Sequence, residues 1–559
     1  MSRVRADKDI DASASTRAFL VGCALFYVVL SLGMMVALDR SWSANWDAVT
    51  YIESARTFWD GGSLFDLYET SRATRYWPYV YMPLYAMVLA PFIWLSDLVT
   101  GGPATALPQL IAVRAPILAA DVGIALLLHR ILSRTSTETW LPRLGVALWL
   151  FNPILFYHTA VQAHFETLWL FPILAAYTWL EERGLERVWA PQLLLVLAMA
   201  VKQSAVLFAL PLGLFLLWQR RWKAVGQFAL LFVLLVGGPS LPFYLYSDDF
   251  RYLVVDYVSQ MPVQVQSWQL WALGLEQFRL EQTVTTFPTV RYAMVLALGA
   301  SALLAIWAVA KRHSWYVIGA GVALVYFLTA HKAMAYHYPI LLLWVLTSTL
   351  HTQRLGLAGA TLLWTSWVVV SPYFAPWAEA NHLPFYAALG TLNSLFYAWL
   401  LYQIMTSKER PSEEREESSR HKAILLTRWA TLLALAFVLA TLVHPLRVLL
   451  PNTLSVAAAL LILVLAAVLV GLAPLASWAA RALALPDAVL RRAPFHLASL
   501  ALAIFFVPLF FTWFTMNAEI TAVIEKGVVE AWGVEERLGE RGAGRPGSGE
   551  RGAERRVGA

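Results

Sequence analysis

Long apolar runs recur along the chain, and many approach the ~20 residues that an α-helix needs to cross the hydrocarbon core of a bilayer. Backbone N–H and C=O groups in lipid must be hydrogen-bonded within the protein, so helices are the favoured structure for such runs. The runs cover 17–38, 109–131, 143–159, 165–182, 189–201, 204–218, 224–245, 290–311, 314–330, 338–350, 355–372, 384–405, 424–444, 452–476 and 495–516. Only 14% of the residues are charged, whereas soluble domains have about a quarter. The sequence therefore predicts an all-α polytopic transmembrane helix bundle of about 12 to 15 spans.

The run at 79–98 is ambiguous, and the basic residues arbitrate between two topologies. If it does not cross and the N-terminus is cytoplasmic, the Lys- and Arg-rich loops all lie on the cytoplasmic side, as the positive-inside rule requires. If it crosses, every later loop inverts and this pattern fails. We therefore predict that 79–98 is re-entrant or interfacial, and that 39–108 and 246–289 face outward. Trp and Tyr interleave with acids in 39–78, which favours interfacial helices in the long first outer loop.

Composition divides the chain into five segments. They are a cytoplasmic N-terminus (1–16), a main transmembrane module (17–406), a charged linker (407–422), a three-helix C-terminal membrane module (423–516) and a polar tail (517–559). From about residue 539 the tail is rich in Gly and Arg and has little to bury, which predicts disorder.

Several classes of protein are disfavoured. The net charge of +6 does not indicate nucleic-acid binding, because the basic residues sit in short loops between apolar runs. Cys23 is the single cysteine, so no intramolecular disulfide can form. The first apolar run, 17–38, is too long for a signal-peptide core and has no convincing cleavage site.

The high content of Ala, Arg and Leu favours a bacterial protein, and hence a location in the plasma (inner) membrane.

Two polar clusters stand next to predicted outer ends of helices. Asp47 lies shortly after the first apolar run, where it is either a functional acid or a solvated loop acid or helix cap. His158, Gln162, His164 and Glu166 join two apolar runs. His164 and Glu166 could ligate a metal, but two ligands are weak support, and an ordinary interfacial turn is the alternative.

Two further clusters carry cations. Lys202 and Gln203 interrupt the apolar stretch AMAVKQSAVLFALP; a lysine there is either functional or snorkels to the interface. A later outer loop reads HKAMAYHYP from His331 to Pro339.

A separate charged pair lies within one apolar helix. Arg114 and Asp121 are two turns apart there, and a structural ion pair is their favoured role.

The predicted topology places these clusters on one side of the membrane. An acid beside cations and imidazoles suits a site that binds an anionic lipid phosphate and activates a hydroxyl group. Cations stabilise the charge that develops on a departing phosphate, and a carboxylate accepts the proton of the hydroxyl.

The polar motifs and their order along the chain resemble those of the type C glycosyltransferase superfamily, whose members use polyprenyl-phosphate sugars. The resemblance covers about residues 17–350. It rests on NWDAVTYIESARTFWDGGSLFDLY, TRYWPYVYMPLYAMVLAP, RAPILAADVGIALLL, FNPILFYHTAVQAHFETLWL, VKQSAVLFALP and HKAMAYHYP. The closest similarity is to the bacterial and archaeal mannosyltransferase-like branch.

This resemblance implies an inverting transfer of a hexose, with mannose favoured, to a lipid, glycan or protein acceptor on the non-cytoplasmic side. Asp47 would be the general base. The lipid phosphate would be held by Lys202, Lys332, His337 and Arg75. The sugar or acceptor site would be formed by His164, Glu166, Gln162, Gln203, His331, Tyr76 and Tyr338. The implied partners are the polyprenyl-phosphate sugar, the acceptor and membrane lipids, with no nucleic acid and no further cofactor.

The chain departs from the family pattern in two places. Relatives often carry Gly-Gln-Phe-Asp in the turn where this chain has Ala163-His164-Phe165-Glu166. Asp47 also has no acidic neighbour, which argues against a metal-dependent, oligosaccharyltransferase-like member. The main alternative is a transporter or flippase of lipid-linked sugars, although such proteins usually show inverted repeats. Another membrane enzyme, which transfers a pentose or a whole oligosaccharide, or a non-catalytic scaffold are further alternatives.

Overall fold

The computed structural model describes eleven stretches of the chain. They are 2–38, 46–59, 64–69, 78–101, 107–136, 140–155, 158–159, 162–256, 293–330, 335–370 and 382–406. Within these stretches the secondary structure is helical and contains no β-strand, which confirms the all-α prediction for this part of the chain. The linker, the C-terminal three-helix module and the tail lie outside the described residues.

The longer helices are numbered here in chain order. The first seven are α1 (Ser2–Leu38), α2 (Trp46–Arg56), α3 (Pro83–Thr100), α4 (Leu107–Thr135), α5 (Trp140–Leu150), α6 (Glu166–Arg183) and α7 (Trp189–Val201). They are followed by α8 (Val206–Trp218), α9 (Trp222–Tyr246), α10 (Ala293–Ala310), α11 (Trp315–Thr329), α12 (Tyr338–His351), α13 (Leu355–Val370) and α14 (His382–Met405). Helix α9 contains a π-helical turn at Val233–Gly237.

Five of the described helices are long and apolar enough to cross a membrane. They are the Ser15–Gly33 part of α1, together with α3, α4, α9 and α10. Five shorter apolar helices accompany them, at Leu141–Leu150, Trp189–Val201, Gln203–Trp218, Trp315–Thr329 and Tyr338–His351. The structure is thus compatible with a membrane protein, and the larger number of spans stays a prediction.

The apolar run at 143–159 is not one continuous helix. Helix α5 ends at Leu150, and Asn152 begins a new turn by accepting a hydrogen bond on Oδ1 from the backbone N of Ile154 at 3.0 Å. Pro153 follows Asn152 and has no N–H to continue the preceding helix. The helix therefore ends several residues before the end of the apolar run, where hydropathy alone would place it.

Ion pairs at the ends of α4 and α6 show that these two helices run in the same direction. Arg130 Nε lies 2.9 Å from Glu182 Oε1, and Arg134 Nη1 lies 2.6 Å from the same carboxylate oxygen. Both arginines belong to the last two turns of α4, and Glu182 to the last turn of α6. We call this end of the bundle the lower end, and the end that contains Glu166, the first residue of α6, the upper end.

Helix α3 packs against α4 and is attached at each of its ends by a hydrogen bond. Just before α3, the Val80 carbonyl accepts a hydrogen bond from Gln203 Nε2 at 3.2 Å, next to the start of α8. At its other end, Asp97 Oδ1 accepts one from Gln109 Nε2 at 2.9 Å, in the first turn of α4. Helix α3 is long and apolar enough to cross a membrane, and the non-crossing of 79–98 stays a prediction.

A buried ion cluster attaches α2 to α3. Arg56 donates from Nε and Nη2 to the two carboxylate oxygens of Asp97, both at 2.9 Å, and from Nη1 to Glu53 at 2.7 Å. The Arg56 side chain is only 5% exposed. A paired guanidinium in this position fixes α2, and with it the N-terminal residues of that helix, against the bundle.

Close packing joins α11 to α12. Gly319 faces the indole ring of Trp344, and a Cβ at this position would overlap that ring. Trp344 is completely buried and stacks on Phe208 of α8, with ring centroids 5.4 Å apart. The absence of a side chain at Gly319 therefore lets the two helices approach, which is the usual role of glycine in membrane helix packing.

Candidate functional site

Asp47 lies in the first turn of α2, at the upper end of the bundle. A carboxylate is favoured there because the helix macrodipole is positive at the N-terminus. Its Oδ2 is 3.3 Å from Nδ1 of His164, and its side chain is 30% exposed. The structure thus brings together two predicted site residues from separate segments, and it leaves part of the carboxylate open to solvent.

The turn before α6 holds His164 in place. Ala163 adopts a left-handed backbone conformation with φ +60°, which is uncommon for a residue with a side chain. The backbone N of His164 donates to the carbonyl of His158 at 2.9 Å, and His158 Nδ1 lies 2.6 Å from Gln162 Oε1. Glycine adopts φ +60° more easily than alanine, so the side chain of Ala163 carries a small conformational cost here.

Glu166 and Lys202 form a buried ion pair beside this turn. Lys202 lies in extended backbone between α7 and a short 3₁₀ turn, and its Nζ contacts Glu166 Oε1. Trp169 Nε1 donates to the other carboxylate oxygen at 2.6 Å. The two charged side chains, Lys202 and Glu166, are 10% and 3% exposed. The ammonium group is therefore held by a carboxylate inside the protein, and the snorkelling alternative does not describe it.

Aromatic rings connect the ion pair to Asp47 and His164. Nζ of Lys202 lies 5.4, 5.6 and 5.8 Å from the ring centroids of Tyr81, Phe165 and Tyr336, within the range of cation–π attraction. Tyr336 also stacks on His164, with centroids 4.3 Å apart and planes 21° from parallel. Tyr336 consequently contacts both pairs and makes them one site.

Burial controls the protonation of the two histidines in the turn. The pKa of His158 is lowered to about 4 because the ring is desolvated. Desolvation also lowers the pKa of His164 well below its usual value, and the nearby His158 and Lys202 add to this effect. Both imidazoles are therefore neutral at pH 7, and each has one N–H donor and one acceptor nitrogen.

Three other predicted residues lie near this cluster or behind it. Gln203 is bound to the Val80 carbonyl. His337 is buried beside Tyr336, with ring centroids 4.4 Å apart, and its Nδ1 lies 3.5 Å from the hydroxyl of Tyr326.

The predicted site residue Tyr338 is completely buried in the packing between helices. Its hydroxyl interacts with Tyr397 at 3.1 Å and Asn393 at 3.3 Å, both in α14. Tyr338 thus contributes to helix packing more directly than to the Asp47 cluster.

The remaining predicted residues, Arg75, Tyr76, His331 and Lys332, lie outside the described residues. Their assignments stay predictions.

Sequence reasoning missed the aromatic residues that surround Lys202. Tyr81, Phe165 and Tyr336 all lie in the motifs that carry the family resemblance, but only their spatial convergence shows what they share. Trp169 was also missed, although it follows Glu166 by three residues and therefore lies on the same helix face. A signal was available in the density of tyrosines around 76–85.

Asp121 has a hydrogen-bond partner in α1 that the spacing of charged residues in the sequence did not predict. Its Oδ2 accepts a hydrogen bond from the hydroxyl of Tyr27 in α1 at 2.6 Å, and Tyr27 lies 3.4 Å from the hydroxyl of Thr159. Arg114, the partner expected from spacing, donates to the backbone carbonyl of Leu110 at 3.0 Å. The contact to Tyr27 connects α1, α4 and the turn that precedes α6.

The cluster combines a part-exposed carboxylate, a neutral imidazole and a fixed cation. A carboxylate in such a setting can accept a proton from a hydroxyl group, and a nearby cation stabilises developing negative charge. In the described stretches, no group of three or more His, Cys, Asp or Glu side chains could hold a metal ion. Compared with known proteins, the sequence matches no family model and no curated protein.

Proposed function

We propose that the protein is an integral membrane glycosyltransferase that moves a hexose from a polyprenyl-phosphate carrier to an acceptor hydroxyl. One observation supports this most directly. Asp47, His164, Glu166 and Lys202 come from three separate segments and lie in one cluster at the upper end of the bundle. An acid, an imidazole and a cation are the groups that this transfer requires, and the resemblance to type C glycosyltransferases assigns the same residues.

In the proposed reaction Asp47 acts as the general base. Its part-exposed carboxylate accepts the proton of the acceptor hydroxyl while the hydroxyl oxygen attacks the anomeric carbon. The bond between that carbon and the phosphate oxygen breaks, and its electron pair leaves with the polyprenyl phosphate. A single displacement of this kind inverts the configuration at the anomeric carbon.

Lys202 is proposed to act as a fixed cation next to the departing phosphate. Glu166 holds the ammonium group of Lys202 in place and offsets part of its effect, so Lys202 needs further cations beside it to stabilise the negative charge of a phosphate that enters. His337, Lys332 and Arg75 are the proposed additional phosphate ligands. Gln162, Gln203, His331 and Tyr76 are proposed to line the sugar or acceptor site.

The favoured donor sugar is mannose, and the acceptor is a lipid, glycan or protein on the non-cytoplasmic side. We place the protein in a bacterial plasma membrane with the N-terminus in the cytoplasm. The upper end of the bundle then faces outward, because the lower end contains the basic ends of α4 and α6.

The test uses purified full-length protein in detergent with radiolabelled polyprenyl-phosphate mannose and a membrane lipid extract. Wild-type protein should transfer the label, and Asp47→Asn should lose most of the activity because an amide cannot accept the proton. Asp248→Asn removes an exposed carboxylate elsewhere and should leave transfer unchanged. Near-full transfer by Asp47→Asn would reject the base assignment. If no polyprenyl-phosphate sugar is used as donor, glycosyl transfer itself is rejected, and the same carriers should be tested for transport in proteoliposomes.

A further inference from the structure

We propose that His164 is a positioning residue that donates a hydrogen bond to Asp47, orients its carboxylate and keeps it ionised. This inference rests on the proposed function, since it concerns the base of that reaction. It differs from the sugar-contact role that the family resemblance implies for His164. The geometry that supports it is the 3.3 Å contact between His164 Nδ1 and Asp47 Oδ2.

One ring contact and two backbone features hold His164 in place. One face stacks on Tyr336, the backbone N is bonded to His158, and the left-handed Ala163 sets the direction of the chain. The side chain is only 9% exposed. A ring held in this way presents its Nδ1 at a fixed place, so the position of the Asp47 carboxylate is fixed as well.

The chemistry of the two groups decides which nitrogen is protonated. An ionised carboxylate can only accept hydrogen bonds. Nδ1 faces that carboxylate, so the favourable neutral tautomer has the proton on Nδ1 and donates a hydrogen bond from Nδ1–H to Asp47. Because burial keeps His164 neutral, it supplies a hydrogen bond without adding a full positive charge, and Asp47 remains free to accept a proton during the reaction.

Other titratable groups surround the pair. The facing groups are Tyr51, Tyr81 and Tyr85 from α2 and α3, His158 and Glu166 from the turn and α6, Lys202 after α7, and Tyr336 before α12. Burial raises the pKa of Tyr51, Tyr81 and Tyr336 well above 10. These phenols stay uncharged at neutral and acidic pH.

Three substitutions separate the hydrogen bond from the ring contact. His164→Phe keeps an aromatic ring against Tyr336 and removes the donor. His164→Asn removes the ring and keeps an N–H close to the place of Nδ1, whereas His164→Gln moves that N–H farther from the backbone. His129→Asn, near the lower end of α4, serves as a control for the loss of an unrelated histidine.

The experiment measures the pKa of Asp47 directly, by NMR of protein labelled with ¹³C at the aspartate carboxylates, with Asp47→Asn to assign the signal. A hydrogen bond to the charged form lowers a carboxyl pKa. His164→Phe should therefore raise the proton-binding constant of Asp47 about ten-fold or more. His164→Asn should restore much of the difference, and His129→Asn should match the wild type. The acid limb of kcat/KM for sugar transfer should move by the same amount.

The possible outcomes are distinct. An Asp47 pKa that is equal in wild type and His164→Phe overturns the inference, whatever the transfer activity. Equal shifts in the Asn and Phe variants also overturn it, because the ring and not the donor would then be responsible. If His164→Phe does not fold, His164→Leu takes its place, because leucine also has no donor. A shifted pKa in a protein that transfers no sugar would support the coupling between His164 and Asp47 and reject the proposed function.

Discussion

The buried pair of Lys202 and Glu166 should be strongly coupled in stability. Replacing Lys202 by Met leaves the carboxylate with Trp169 as its donor inside the protein, and replacing Glu166 by Gln leaves an ammonium group among aromatic rings. Removal of one partner from a buried ion pair costs about 3–5 kcal/mol, whereas exchange of both for neutral groups is often close to neutral. With side chains 10% and 3% exposed, the pair belongs to this buried class.

We therefore expect the double variant Lys202→Met, Glu166→Gln to be more stable than either single variant. If each single variant costs about 3 kcal/mol and the double about 1 kcal/mol, the coupling energy is about 5 kcal/mol, larger than the ~0.5–3 kcal/mol of most neighbouring pairs. The glutamine that replaces Glu166 in the double variant can still accept the hydrogen bond from Trp169, so the indole N–H keeps its partner.

The measurement is reversible unfolding in mixed detergent micelles, followed by tryptophan fluorescence. Lys223→Met is the matched control, because Lys223 is exposed and its loss should change the free energy of unfolding by less than about 0.5 kcal/mol. Additive costs in the double variant would refute the reasoning, since they would mean that the two charges do not depend on each other.

Further predictions concern the α2–α3 attachment, a helix contact and pH. Arg56→Leu should cost about 3 kcal/mol, since it leaves the largely buried Asp97 carboxylate without its cation, and the loss should speed proteolysis of α2. Glu53→Gln, at a part-exposed site, should have little effect, and equal effects would argue against the attachment. Gly319→Ala should destabilise the protein by about 1–3 kcal/mol through overpacking, whereas Gly299→Ala, with open space around it, should be neutral or stabilising by thermal unfolding. His158 has a folded pKa of about 4, below its usual 6.5. The unfolded chain therefore binds more protons between these values, and stability should fall as the pH drops from 6.5 to 4. His158→Gln should flatten this part of the curve, and parallel curves for the two proteins would contradict the assignment.

Hydropathy was sufficient to predict most of the described helices, because an apolar run in lipid has few alternatives to a helix. The run at 143–159 shows the limit of this signal. A capping residue followed by a proline, Asn152-Pro153, ends the helix within a sequence that remains apolar. Capping is local chemistry that a hydropathy average does not contain.

The sequence allowed the charged residues of the candidate site to be predicted, but not the residues that they contact. Asp47, Glu166 and Lys202 stand out in sequence because charge at the edge of an apolar run is rare. Which charge meets which depends on how α6 packs against α7 and α2, and a single sequence does not encode this in any local pattern. The same holds for Tyr336, whose contact with both pairs depends on the place where α12 begins.

The hydrogen bond between Tyr27 and Asp121 has a consequence for the order in which the protein is assembled. Its two partners are 94 residues apart, which corresponds to about 5–20 s of synthesis at 5–20 residues per second. During that interval α1 is already made but cannot yet form this contact with α4. The attachment of α1 to α4 thus waits for the synthesis of Asp121, and mutations of Tyr27 should affect biogenesis at a stage when α4 is leaving the ribosome.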